Sequence, residues 1–215
     1  MCPHRLAVGP FLRYPLVPPM RLLLTVVLAA LCAIPVSAQT IYQPDGARGF
    51  GLFASYVPVE GGRTLGAGAV VSVLPGVDLA VDYARATNES NSRAVTAVGG
   101  SVAFYLVRTR GTRVGLSLGA VRVSDDDDSG MVGSGALVVG HQAALAPGVE
   151  FVPQVTFGVP FALGEHGGAG FSGAVTPAFV VGSGEARFAV APSVSYGFDS
   201  RETSVAVSAG LITSL

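Results

Sequence analysis

Lysine and tryptophan are absent from this chain, cysteine occurs twice and histidine three times, and charged residues make up only 13% of the sequence. Without lysine, all 13 cationic residues are arginines, and the formal net charge is -1. That balance excludes the basic stripe a nucleic-acid partner requires. So little charge beside 50% hydrophobic residues also excludes a disordered polyelectrolyte. Two cysteines build neither a disulfide framework nor a zinc site, and no metal is expected. An apolar run long enough to cross a membrane as a helix is missing too. The longest, 22–36 (LLLTVVLAALCAIPV), has fifteen residues, against the roughly 18 a spanning helix needs.

That run has another use. Arg21 precedes it, and the small residues Ser37 and Ala38 follow Val36. A positive start, a short apolar core and a small-residue cleavage site describe a secretory signal peptide. The expected organisation is therefore an upstream extension over 1–19, a signal over 20–38 cleaved near Ala38, a lead over 39–48 and one domain over 49–215. A retained anchor and a lipidated Cys32 are the competing readings; Leu31 before Cys32 disfavours the second. From residue 39 onward the chain holds no cysteine. Such an exported chain fits the periplasm or the outer membrane of a Gram-negative cell.

Beyond residue 48 the sequence shows no helical period. Segments alternate every second residue, which places side chains on opposite faces of a strand. Ten such segments are readable: 49–57, 65–74, 77–86, 95–107, 114–123, 133–145, 149–159, 171–181, 187–197 and 204–215. The seventh is the cleanest, with Val149, Phe151, Val155, Phe157 and Val159 on one face. Connections alternate between tight turns, such as Pro75-Gly76 and Pro147-Gly148, and longer polar loops. Short turns at one end and longer loops at the other are what a membrane barrel shows.

A soluble sandwich also alternates, but its second face meets water and carries charge. Here that face reads Gly66, Gly68, Val70 and Ser72 in one segment, and Ala189, Ala191, Ser193 and Ser195 in another. Small uncharged residues suit the crowded interior of a narrow barrel. The apolar face is expected to carry no charged residue, because an arginine at the bilayer midplane costs about 2–4 kcal/mol. The expected fold class is all-β: an up-and-down transmembrane antiparallel β-barrel of about ten strands, with eight as the alternative.

Aromatics support the same fold. With the first segment running outward, Tyr56, Tyr83, Phe157, Phe171 and Tyr196 fall at outer strand ends. Phe50, Phe104, Phe151, Phe179 and Phe188 fall at inner ends. Two girdles at the two interfaces are expected of a barrel. Against the fold stand Pro153, Pro177 and Pro192 inside strands, where each removes a ladder donor, and His141 on the apolar face. The sixth segment alternates weakly enough for its register to slip.

With its leader, its alternating strands and a last strand over Val205 to Leu215, the chain resembles the small outer-membrane β-barrel proteins of the OmpX/OmpA-like group over 49–215. The resemblance implies outer-membrane lipid, lipopolysaccharide and the barrel-assembly machinery as partners. The family's final strand usually ends in an aromatic residue; this one ends in Leu215.

Candidate chemistry is sparse. Asp125, Asp126, Asp127 and Asp128 begin like a calcium loop, but the twelfth position, which should be Glu, is Ala136. The run reads as a solvated external loop, or as a weak cation or lipopolysaccharide contact. Asp78, Asp82, Glu150, Gln154 and Arg187 face the lumen and are expected to form one charged layer near the inner mouth, with Arg122 toward the other end. Buried charges need partners, so an Arg187–carboxylate network is the plain reading, and a cation- or proton-selective constriction the sharp one. An enzyme is not expected. Catalysis needs a nucleophile, a base and an orienting group, and the histidines after residue 38 are only His141 and His166. No cofactor is implied. The expected role is structural, surface-display or adhesion-type in the cell envelope, the alternative a narrow porin or small-solute channel, and, behind both, a lipid A-modifying barrel enzyme.

Overall fold

The computed structural model describes residues 49–59, 61–88, 94–108, 111–125, 129–163 and 169–214. The segment 1–48, with the expected signal and lead, and Asp126, Asp127, Asp128 and His166 lie outside the described residues. Strands are β1 (Gly49–Val59), β2 (Gly62–Leu74), β3 (Val77–Asn88), β4 (Ala94–Arg108), β5 (Thr112–Ser124), β6 (Ser129–His141), β7 (Ala143–Ala146), β8 (Val149–Leu163), β9 (Ser172–Val181), β10 (Ala186–Gly197) and β11 (Glu202–Ser214). All pairings are antiparallel. β1 pairs with β11 and β6 with β8, so the sheet closes on itself.

The ring has ten staves, because β7 continues β6. Gly140 pairs with Gln154 and Ala143 with Phe151, which is one unbroken register on either side of Gln142. The same register sets His141 opposite Pro153, and a proline has no N–H to give the His141 carbonyl. That single missing donor divides one strand in two.

The other two prolines act together. Pro177 pairs with Pro153, and Pro192 with Val207. Between β9 and β10 the pairing runs over Phe188–Val190, lapses, and resumes at Val194 in the same register. That register sets Pro177 opposite Pro192. Two absent donors at one hydrogen-bonding position account for the three lapsed pairings. Expected to disfavour a strand, the prolines instead line up side by side on three neighbouring staves.

Following cross-strand partners around the ring measures its stagger. The path leaves His141 through Pro153, Pro177, Pro192, Val207, Tyr56, Leu65, Arg85, Thr96 and Ser124, and returns to β6 at Ser129. It closes twelve residues up the strand from where it began. A stagger of that size over ten staves corresponds to a strand tilt of about 40°.

Connections sort by end. The Pro75-Gly76 and Pro147-Gly148 turns lie at one, which we call the turn end, with 109–111 and 182–185. Gly76 and Gly148 take φ of 86° and 72°, open to glycine without a Cβ penalty. The opposite, loop end carries 60–61, 89–93, 125–128, 164–171 and 198–201.

The two faces of the sheet invert the usual order of a soluble protein. Leu106 is 70% exposed and Val81 62% on the outside, while inside Ala178 is 0% and Val180 1% exposed. Val70, Ala80, Val152, Ala178, Val180 and Ile212 belong to one inner apolar cluster. Ala84, Ala97, Val121 and Val123 form a second, nearer the loop end. Phe53 packs against the first. It pairs with Gly68 on one side and Gly210 on the other. A Cβ at Gly68 would collide with the Phe53 ring, and one at Gly210 would lie 3.0 Å from the Phe53 Cβ. Glycine on both neighbouring strands is what makes room for an aromatic ring in this interior.

Candidate functional site

Period-two alternation turns every second side chain of each stave inward, and it gathers the few charged inward groups into separate sets. At the turn-end mouth, the Arg187 guanidinium donates to Glu150 Oε2 at 3.0 Å. Gln142 Nε2 donates to the same oxygen at 2.8 Å. Nearby on the wall, Arg113 stacks over the Tyr105 ring, 6.0 Å from its centroid. Glu150 thus receives two donors from two different staves, β10 being reached across β9.

Across the lumen, Ser72 Oγ donates to Asp78 Oδ1 at 2.6 Å. A bulge between Ser72 and Leu74 ends their strand beside that contact. Gln154 is buried and donates to Thr156 Oγ1 at 3.3 Å. Asp82 sits four residues beyond Asp78, deeper in the lumen, and is 5% exposed. Neither of its carboxylate oxygens has a hydrogen-bond partner among the described residues, and the same holds for Thr64 Oγ1. Its partners in register are glycines on both sides, Gly68 and Gly99. A buried carboxylate in that position needs a proton or a counter-ion to offset its desolvation.

The five inward groups are therefore not one layer. Glu150 and Arg187 meet at the mouth, Asp78 pairs with Ser72, and Asp82 stands apart further in. Gln142, which completes the mouth cluster, is not among the residues the sequence singles out. A signal for it exists: a side chain two positions from Gly140 shares its inward face.

Two expectations about charge are corrected. Arg122 does not face the lumen. It is exposed and shares the outward face of β5 with Leu116 and Leu118. Nor is the outward face free of charge, since exposed Arg63 and Arg85 share it with Leu65 on β2 and with Val81 and Tyr83 on β3. All three arginines lie at the loop end, where the cost of a charge on a hydrocarbon-facing surface falls toward zero.

The ten aromatic positions expected in the girdles all face outward. Tyr56, Tyr83, Phe157, Phe171 and Tyr196 are exposed toward the loop end. Phe104, Phe179 and Phe188 are exposed, and Phe50 and Phe151 half-buried, toward the turn end. Phe151 and Phe179 pair across β8 and β9 with ring centroids 5.2 Å apart. His141 faces outward as well, its Nδ1 2.9 Å from Thr112 Oγ1. Among the described residues no group of three or more His, Cys, Asp or Glu is placed to hold a metal ion. Of the acidic run, only Asp125 is described.

No family model matches the chain, and no curated protein matches it. Solved structures do. A bacterial polysaccharide outer membrane secretin is 10% identical, with a TM-score of 0.44 over 80% of this chain and 66% of that one. The translocator domain of the autotransporter NalP from Neisseria meningitidis is 10% identical, with a TM-score of 0.41 over 88% and 95%. An outer membrane channel from Pseudomonas putida is 9% identical, with a TM-score of 0.44 over 80% and 97%. This chain spans about two thirds of the secretin's length. No family model confirms the OmpX/OmpA-like group for this chain.

Proposed function

We propose that this chain is an outer-membrane β-barrel with a filled lumen, a scaffold that holds its loop end at the cell surface in a structural, surface-display or adhesion-type role. The observation that carries this reading is the burial of small inward residues. An alanine on the wall of an open pore would show its methyl group to water; Ala178 shows none of it, and Thr176 and Val180 beside it are 1% exposed. The apolar exterior supports hydrocarbon as the surrounding solvent. The longer connections at the loop end support that end as external. Reconstitution in planar bilayers tests the filled lumen. The expected result is the absence of discrete conductance steps, and stable ohmic steps from the purified protein would overturn it.

A narrow channel for protons or small solutes is the second reading, favoured by one feature: Asp82, a carboxylate without a partner among the described residues, stands deep in the lumen between Gly68 and Gly99. Under that reading the Glu150–Arg187–Gln142 cluster is the constriction. Arg187→Ala would then change single-channel conductance, and an unchanged conductance would count against it.

A further inference from the structure

The outward arginines are not scattered. The twelve-residue stagger is shared by ten staves, so each step along the cross-strand path climbs about 1.2 residues. Leu65 pairs with Arg85, and one step of climb brings Arg63 level with Arg85. From Arg85 the path runs through Thr96 to Ser124, two steps up, and two residues back down β5 is Arg122. Arg63, Arg85 and Arg122 therefore share one level, just above exposed Tyr83, on a sector of four neighbouring staves. Between Arg85 and Arg122 lie two hydroxyls on the same outward face, Thr96 Oγ1 and Ser124 Oγ, 2.9 Å apart. Arg122 reaches Ser129 Oγ at 3.5 Å. Around the rest of the ring the exposed outward residues at about this level are Phe161, Phe171, Tyr196 and Thr203, none charged, with Arg201 in the connection just above Thr203.

Three guanidinium groups and two hydroxyls on four neighbouring staves, above a band of exposed apolar side chains, match one kind of occupant: a lipid whose phosphate-bearing headgroup lies at the outer interface while its acyl chains cover the apolar side chains below. Arginine suits it because its planar fork binds phosphate oxygens in pairs. We propose that Arg63, Arg85 and Arg122, with Thr96 and Ser124, form a docking site for the phosphorylated headgroup of the outer-leaflet glycolipid. The site rests on the outer-membrane reading and on the loop end being external. Asp125, which follows Ser124, is the described acidic group beside it, so the site is bounded on that side by negative charge. Direct arginine–phosphate contact, rather than a bridging divalent cation, holds the lipid.

The test uses the full chain expressed with its natural leader, extracted in detergent containing EDTA, and probed by native mass spectrometry. Bis-phosphorylated lipid A, the same lipid A after dephosphorylation, and phosphatidylglycerol are the three probes. Arginines near an anionic surface add to binding, so the triple variant R63Q/R85Q/R122Q should hold phosphorylated lipid A at least about ten-fold less well than the parent protein. R113Q, which removes one arginine charge at the opposite mouth, should bind as the parent does. Dephosphorylated lipid A should bind parent and triple variant alike. Equal retention of phosphorylated lipid A by parent and triple variant overturns the site. So does equal retention of the phosphorylated and dephosphorylated forms, and retention of phosphatidylglycerol as strong as that of lipid A overturns its assignment to the glycolipid. Heat-modifiable mobility is recorded on the same samples. A barrel that folds only with detergent but lacks phosphate selectivity loses the site and keeps the outer-membrane reading, whereas a chain that folds without detergent loses both.

Discussion

Pro177 on β9 faces Pro192 on β10 across a gap in the ladder, each presenting a ring nitrogen where the other strand needs a donor. Two carbonyls lack a ladder donor there. Replacing both residues restores two hydrogen bonds in one step. The double variant P177A/P192A is expected to be more stable than the parent by about 1–2 kcal/mol, since each net bond contributes around 1 kcal/mol and losing two prolines gives back some unfolded-state entropy. Urea unfolding of the barrel in micelles, followed by circular dichroism, measures it. Single variants should gain about half as much, because each restores one donor and leaves the opposing proline in place.

The fit of Phe53 over glycine predicts a local intolerance of side chains. In Gly68→Ala the added methyl would collide with the Phe53 ring and lie 2.7 Å from the Val81 carbonyl oxygen, so the ring or the backbone must move. A loss of about 1–3 kcal/mol is expected. Gly130→Ala is the matched control, because nothing lies within 4 Å of a Cβ at that position, and its midpoint should stay within about 0.5 kcal/mol of the parent.

Asp82 gives a prediction of the opposite sign. Asparagine has the same shape and no charge, so Asp82→Asn removes the desolvation cost of a carboxylate with no partner among the described residues. The variant is expected to raise the unfolding midpoint, corresponding to a gain in unfolding free energy on the order of 1–3 kcal/mol. A lower midpoint would mean that a counter-ion occupies the lumen beside Asp82.

Much of this architecture is legible in the residues. Val149, Phe151, Val155 and Phe157 alternate because one side of β8 faces out, and Gly66, Gly68 and Ser72 are small because the other side of β2 faces a crowded interior. The alternation fades at the rims, where a strand leaves its apolar surroundings. That is why β4 and β8 run to Arg108 and Leu163, past the readable segments. Parity along β5 places Arg122 outward with Leu116 and Leu118; charge alone points an arginine among leucines inward, and parity is the stronger guide. The division between β6 and β7 cannot be read locally at all. Its cause, Pro153, lies on the partner strand, and only the register brings it opposite His141.

On the proposed outer-membrane reading, hydrocarbon covers the outer face of this barrel, and the inner face is sealed from it. The chain from residue 39 onward contains no cysteine, so single cysteines can be introduced and labelled with an environment-sensitive fluorophore. V81C and L118C report the outer face, and S193C the lumen. After refolding into vesicles containing brominated lipid, the labels at 81 and 118 should be strongly quenched and the label at 193 should not. Equal quenching at all three positions, or a folded monomer with no quenching at 81 and 118, would contradict the account.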